Sequence, residues 1–513
     1  MNREQNVVVK DWRKVKLRFA LAYPSLYSVG MSNLGFRLLY ELINNRDDSL
    51  CERFFFTSFG EAPRSLESGR GLKDFDAVGF SIQHEMDYTR MLDMISRSGI
   101  PLRSSDRERP LILAGGPSVT SNPMPLAPFV NHFVIGEAEP VLDSLLDALK
   151  GGRDASSIPG IYNYGGEAER VYVDNLDSAY HAVRQVSSCS GDGFSSSFLL
   201  EISRGCSRGC RFCMECYIYR PKRDRSLGRI KSIVDEGLSL TKTRRVTCIS
   251  SAFFDHPQLV EILGFLKDRG LEFSLPSLRV SDLKEGVVEL LSAGGQRSIT
   301  LAPETPSERL RSIINKRLDM GQLERLLRSA HDAGISSVKL YFMIGLPGES
   351  LSDIQELGSM LSSVISCGFR PSSIHVGVNL MIPKSNTPFQ WAPIISQEEF
   401  SERFTLIRKI CSGLGLRRVE GMDYRWGVIQ AYLSTGGVEA SKVLQLLTED
   451  LAGGGSGDLG SWRRTLKAAG LSLKSLYVPR GLDSDLPWEP LKATISKAIL
   501  KKEYQGALLH VKK

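Results

Sequence analysis

At roughly 100–200 residues per domain, a chain of 513 residues divides into about three domains. Its 42% hydrophobic and 24% charged residues allow a sizeable core, and a net charge of +7 is too mild to argue by itself for nucleic acid. No run of about 18 apolar residues marks a membrane span, and the start MNREQNVVVKDWRK lacks a secretory core, so a cytoplasmic location is expected.

The first 150 residues alternate short apolar runs with helical patterns. VKLRFALAYP (15–24), FDAVGFSI (75–82), RPLILAGGP (109–117) and NHFVIGEAE (131–139) read as buried strands. Helical patterns lie between or after them at 33–43, 86–99 and 140–150. Such alternation predicts a parallel sheet covered on both faces, with any ligand at the carboxyl ends of the strands. Gly115, Gly116, Pro117 and Gly136 fall at such ends, either as tight turns or as places where backbone approaches a ligand.

The polar stretch 176–196 reads as a linker between a domain at 1–175 and a second alternation. Six strand candidates follow, FLLEIS, RVTCIS, EFSLPSL, RSITLAP, SVKLYFMIG and IHVGVNLMIP, with helices between them. Six βα units predict a partial (β/α)6 barrel over 197–398, with its chemistry at the carboxyl strand ends. Residues 399–513 read as helical, without a motif of chemical meaning.

Directly after the first barrel strand comes RGCSRGCRFCMECY, which gathers four of nine cysteines. The other five are scattered singly, as reduced thiols are, so the group points to metal and not to disulfides. Three thiolates at the CxxxCxxC spacing of Cys206, Cys210 and Cys213 can each hold one iron of a [4Fe–4S] cluster and leave the fourth iron open. Cys216 reads first as an inert thiol beside that site, with a reactive role in group transfer as a second reading; as a ligand it would keep two alternatives alive, a closed four-cysteine electron-transfer cluster or a zinc-stabilised nucleic-acid module. Against them stand a spacing unlike ferredoxin runs and the absence of ligand pairs on separate turns.

CSRGCRFC resembles the signature of the radical S-adenosylmethionine (radical SAM) superfamily. APETPSERLRSIINK, YFMIGLPGES and NLMIPKSNTPFQW are similar to its later barrel segments. LAYPSLYSVGMSNLGFRLLYELIN resembles the branch with an N-terminal cobalamin-binding-like domain, which implies an α/β fold with a Rossmann-like doubly wound N-terminal domain ahead of the barrel. The resemblance implies Cys206, Cys210 and Cys213 as cluster ligands and Phe212 beside the adenine of S-adenosylmethionine. It further implies Ser277, Arg279 and Glu304 as ribose or carboxylate contacts, Lys339 against the methionyl carboxylate, and Gly345 in a turn beneath the adenine. Ser250 and Ser251 stand where a GGE-like turn would receive the methionyl amine.

The implied activity is reductive cleavage of S-adenosylmethionine to a 5′-deoxyadenosyl radical that abstracts hydrogen from a substrate. This requires a reducing electron donor; the substrate class, small or macromolecular, is open. The loop after the first strand lacks an Asp-x-His pair. Two readings of the N-terminal domain therefore stand: cobalamin held without a protein histidine and used for methyl transfer to an unactivated carbon, or a vestigial domain shaping a cleft. His84 is expected in a loop. The basic run Arg220, Lys222, Arg223, Arg225, Arg229 and Lys231 reads first as a solvated helix face; an RNA substrate would use it but is not favoured.

Overall fold

The computed structural model describes residues 4–188, 196–275, 278, 284, 286–492 and 494–511. In the N-terminal domain the apolar run Leu17–Tyr23 forms β1, and α1 (Leu34–Asn44) starts where the Asn33 side chain accepts the Phe36 N–H. Next come β2 (Ser49–Phe55), β3 (Ala77–Ser81), α2 (Asp87–Arg97), β4 (Leu111–Gly115), β5 (His132–Val134), α3 (Leu142–Gly151) and β6 (Ile161–Tyr162). The sheet order is β2-β1-β3-β4-β5-β6, parallel except for β6. The order reverses between β1 and β3, the switch point at which doubly wound sheets open a crevice at their carboxyl ends.

The barrel begins with β7 (Phe198–Glu201). After it come α4 (Glu215–Ile218), α5 (Leu227–Thr241), β8 (Arg245–Ile249), α6 (Leu259–Asp268), β9 (Glu272–Ser274) and α7 (Val287–Ala293). Then follow β10 (Ser298–Glu304), α8 (Met320–Asp332), β11 (Ser337–Ile344), α9 (Leu357–Ser366), β12 (Ile374–Leu380), α10 (Gln397–Gly413) and β13 (Arg418–Gly421). All pairings are parallel, and the Leu278–Leu301 bridge joins β7-β8-β9 to β10-β11-β12-β13. On β11 alternate residues Val338, Leu340, Phe342 and Ile344 are buried among the helices, while Lys339, Tyr341 and Met343 take the inner face.

Two features go beyond what the sequence announced. The barrel continues past six strands, because RVEG at 418–421 pairs with β12; it is too short and polar to announce itself as a strand. The described part of the 176–196 stretch is packed, not loose. Gln185 donates to the Leu199 carbonyl (2.7 Å) and accepts from Arg37 (3.0 Å), the His181 ring accepts the Glu201 N–H (3.0 Å), and Gln5 pairs with Ser187.

The remaining helices join the two domains. α11 (Tyr424–Thr435) is buried almost all round, and Gln430 on it reaches Glu85, which is also paired with Lys384 from the barrel (2.6 Å). α12 (Ala440–Ala452) lies against α2, and α13 (Leu459–Ala469) against α12. α14 (Lys497–Val511) crosses the cysteine loop: Leu500, Tyr504 and Ala507 are buried in one apolar cluster with Cys206, Cys210 and Cys216. Among the described residues no helix is long and apolar enough to cross a membrane.

Candidate active site

The loop after β7 is tied at both flanks. Arg211 donates its N–H to Ile314 (3.0 Å) and accepts that of Phe389 (3.1 Å), while Asn315 holds the Gly209 carbonyl (2.9 Å). Cys206, Cys210 and Cys216 are buried and Cys213 is half-buried. The Cys216 thiol lies within hydrogen-bonding reach of those of Cys206, Cys210 and Cys213, and these contacts raise its pKa well above the ordinary value. As they stand, the thiols bond one another, and no His, Cys, Asp or Glu group among the described residues is arranged to hold a single metal ion. The donor set, all sulfur in an apolar pocket, has the chemistry of an iron–sulfur site once a cluster parts the thiols.

Phe212 packs against the cysteines, and the Lys316 ammonium sits 5.8 Å from its ring. Lys316 is paired with Glu304 (2.6 Å), which holds φ +68 at the end of β10, a left-handed conformation costly for a side-chain-bearing residue. The strand end, Lys316 and Phe212 thus form one connected unit beside the cluster loop. Gly345 follows β11 with φ +90 and donates its N–H to the buried Glu349 carboxylate (2.7 Å). Burial pushes Glu349 up to about 7, although Arg403 stands 3.2 Å away.

Other residues fall elsewhere. Lys339 lies in the first half of β11, away from the strand end where the cluster loop sits, against the Tyr341 ring (5.0 Å) and Glu420 (4.0 Å). Strand register sets it level with Thr300 and His375, in the first half of β11. Ser277 and Arg279 lie outside the described residues. Ser250 shares a 2.5 Å hydrogen bond with Ser203 and, with Ser251, lines the cavity described next.

That cavity, about 560 Å³, opens at the switch point and extends across to the barrel. Its N-terminal part is an apolar slot between α1 and α3, walled by Leu21, Leu38, Leu113, Val134, Leu142 and Leu145. At its rim Gly116 (φ +108) and Gly136 (φ +107) bring backbone close: a Cβ would strike the Ile82 carbonyl at the first and the Val171 carbonyl at the second. Ser203, Arg204, Gly205, Glu215 and Tyr219 from the cysteine segment close the far wall. Among the described residues no histidine is on the wall; His84 is an exposed loop residue whose ring faces Gln430 (2.7 Å).

Sequence reasoning missed a buried ion network at this wall. Arg204 meets Glu137 (2.8 Å), Glu139 (2.9 Å) and Glu201 (2.8 Å); Arg223 meets Glu137 (2.7 Å), and Arg225 meets Glu201 (2.7 Å). Burial works to raise the Glu201 pKa, yet Arg204 and Arg225 outweigh it and bring it to about 2. The reading of the basic run as a solvated helix face is thus corrected for Arg223 and Arg225, which precede α5, are buried and are spent on carboxylates, whereas Arg229 and Lys231 do lie on the helix, partly or fully exposed. The only signal available was GEAE at 136–139, whose acids had no stated partner.

The family described as "Radical SAM proteins, N-terminal" matches residues 35–174, and "Radical SAM superfamily" matches 200–361. An uncharacterised protein of Methanocaldococcus jannaschii is 31% identical over 429 residues, spanning 83% of this chain and 90% of its own. The chain belongs to the radical SAM superfamily. An uncharacterised methyltransferase of Pyrococcus horikoshii is 26% identical over 266 residues, 48% of this radical SAM protein and 57% of that relative. Among solved structures, the radical S-adenosylmethionine methyltransferase TsrM of Kitasatospora setae, with cobalamin and a [4Fe–4S] cluster bound, superposes with TM-score 0.58 at 14% identity. The match covers 88% of this chain and 99% of that one. The cobalamin-dependent S-adenosylmethionine radical enzyme OxsB, with aqua-cobalamin and S-adenosylmethionine bound, gives 0.53 at 13% identity over 97% and 79%. These likenesses establish the two-domain fold: a Rossmann-like domain followed by a TIM-like barrel.

Proposed function

We propose that this radical SAM protein binds a [4Fe–4S] cluster through Cys206, Cys210 and Cys213, cleaves S-adenosylmethionine reductively, and uses cobalamin for methyl transfer to an unactivated carbon of a small molecule. The cavity carries the reading. One continuous space runs from an apolar slot at the switch point to the wall built by the cysteine segment, so a large flat cofactor would face the cluster loop.

Each part has residues to serve it. The slot between α1 and α3 offers apolar surface to a cofactor tail, and the rim glycines let the strand-end turns pack against the Ile82 and Val171 backbone and so shape its mouth. With no histidine on the wall, the reading is of cobalamin held without a protein imidazole. The cluster and the sulfonium would supply the one-electron chemistry; the protein supplies the pocket, its orientation and the exclusion of water. Phe212 would pack near the adenine, the turn at Gly345 would lie beneath it, and Glu304, held by Lys316, would meet the ribose. The methyltransferase relative and the bound groups named for TsrM and OxsB support this reading.

The test is anaerobic reconstitution with iron and sulfide, followed by hydroxocobalamin and desalting. Retained corrin absorbance together with reductant-dependent loss of S-adenosylmethionine is expected. Protein that keeps iron and sulfide but neither holds corrin nor consumes S-adenosylmethionine would refute the proposal and leave an electron-transfer protein.

A further inference from the structure

The proposed ligand set uses three thiols, yet the pocket holds four. Cys216 is 2% exposed, and its thiol contacts those of Cys206, Cys210 and Cys213. Its place is built by the backbone. In and before α4 the Cys216 N–H donates to the Cys213 carbonyl (3.2 Å), and Tyr217 and Ile218 donate to Met214 (2.9 and 3.0 Å), which turns the chain back over the loop. Arg220 holds the Cys216 carbonyl (2.7 Å), and the Tyr217 hydroxyl donates to Gly209 (3.3 Å), so the turn is pinned on both sides. The other buried thiols among the described residues lie outside this cluster, Cys51 in one apolar core and Cys248, Cys367 and Cys411 in another.

We propose that Cys216 is a displaceable fourth ligand of the cluster: its thiolate closes the fourth iron before S-adenosylmethionine binds and gives way to the methionyl amino and carboxylate groups. The exchange balances. One iron–sulfur bond breaks, one iron–nitrogen and one iron–oxygen bond form, and no electron moves. The proton shed by the methionyl ammonium ends on the released thiolate. A closed cluster offers solvent no open iron, so such a ligand keeps the site shut until the sulfonium arrives. The inference rests on the iron–sulfur reading above.

Wild-type protein and Cys216→Ala are reconstituted anaerobically, with Cys216→Ser as a second variant if the alanine form loses its circular-dichroism spectrum. Iron and sulfide are counted, and Mössbauer and electron paramagnetic resonance spectra are recorded with and without S-adenosylmethionine. Four alike iron sites are expected in the free wild type. One distinct site is expected in the variant, and in the wild type after S-adenosylmethionine is added. Because the closed form withholds the competent state, S-adenosylmethionine should bind the variant about tenfold more tightly. Identical spectra and affinities for wild type and variant would overturn the proposal. So would loss of the cluster from both variants, or a four-alike spectrum that persists with S-adenosylmethionine, because each makes Cys216 a permanent ligand. A wild type that retains no iron and sulfide at all would instead refute the iron–sulfur reading itself.

Discussion

Two buried carboxylates beside the site carry opposite shifts, and each has a cause that can be read from its neighbours. Glu349 rises from the ordinary 4.5 to about 7, because burial outweighs the Gly345 N–H and Arg403. Its native form holds a proton that the unfolded chain has released, so this stabilising contribution is complete below pH 4.5 and is lost as pH climbs through about 7. Glu201, at about 2, is the reverse: its contribution is present above pH 4.5 and lost as pH falls through about 2. Glu349→Gln keeps an acceptor for Gly345 and cannot ionise. Urea midpoints measured between pH 5 and 8 should fall with pH in the wild type and stay flatter in the variant; parallel curves would contradict the assignment. Arg204→Ala leaves Glu137, Glu139 and Glu201 without that partner and should cost about 3–5 kcal/mol in denaturant unfolding. At this scale the cysteines were legible because their spacing is itself the chemistry. Arg204 and Arg225 were not, because a basic run on paper carries no sign of acids folded against it.

Helix α14 shows how an element without a motif acquires a role. Its apolar residues Leu500, Tyr504 and Ala507 cluster with residues far off in sequence, Trp391, Phe389 and the cysteine loop. The Tyr504 ring lies 5.9 Å from Trp391, and Glu503 ties the same helix to Arg211 (3.0 Å). Tyr504→Ala should cost about 3 kcal/mol by cavity formation. It should also speed bleaching of cluster absorbance in air, since α14 covers the loop; unchanged bleaching would separate packing from protection. The strands β1, β3 and β4 were readable as apolar runs, since a parallel strand buried on both faces must be apolar along its length; β11 and β12, which keep Lys339 and Asn379 off their buried face, were readable from their remaining apolar residues. β13 was not, since at the barrel edge Arg418 and Glu420 need no burial and only the β12 backbone makes the segment a strand.

Over the whole molecule, the decisive fact is that two sheets present their carboxyl ends to one space. α11 and α12 hold the N-terminal domain on the barrel, and the Arg204 network seals the wall between them. Leu38→Trp would fill the slot between α1 and α3. It should abolish corrin retention while iron and sulfide content stays at the wild-type level; corrin bound equally well would place that cofactor elsewhere. The linear chain determined the strand–helix alternation, the cysteine spacing and the glycines at strand ends, because these are consequences of local periodicity and backbone freedom. Only the folded chain decided which faces meet: the slot, the buried ion network and the cover formed by α14 all join residues through contacts that local pattern does not encode.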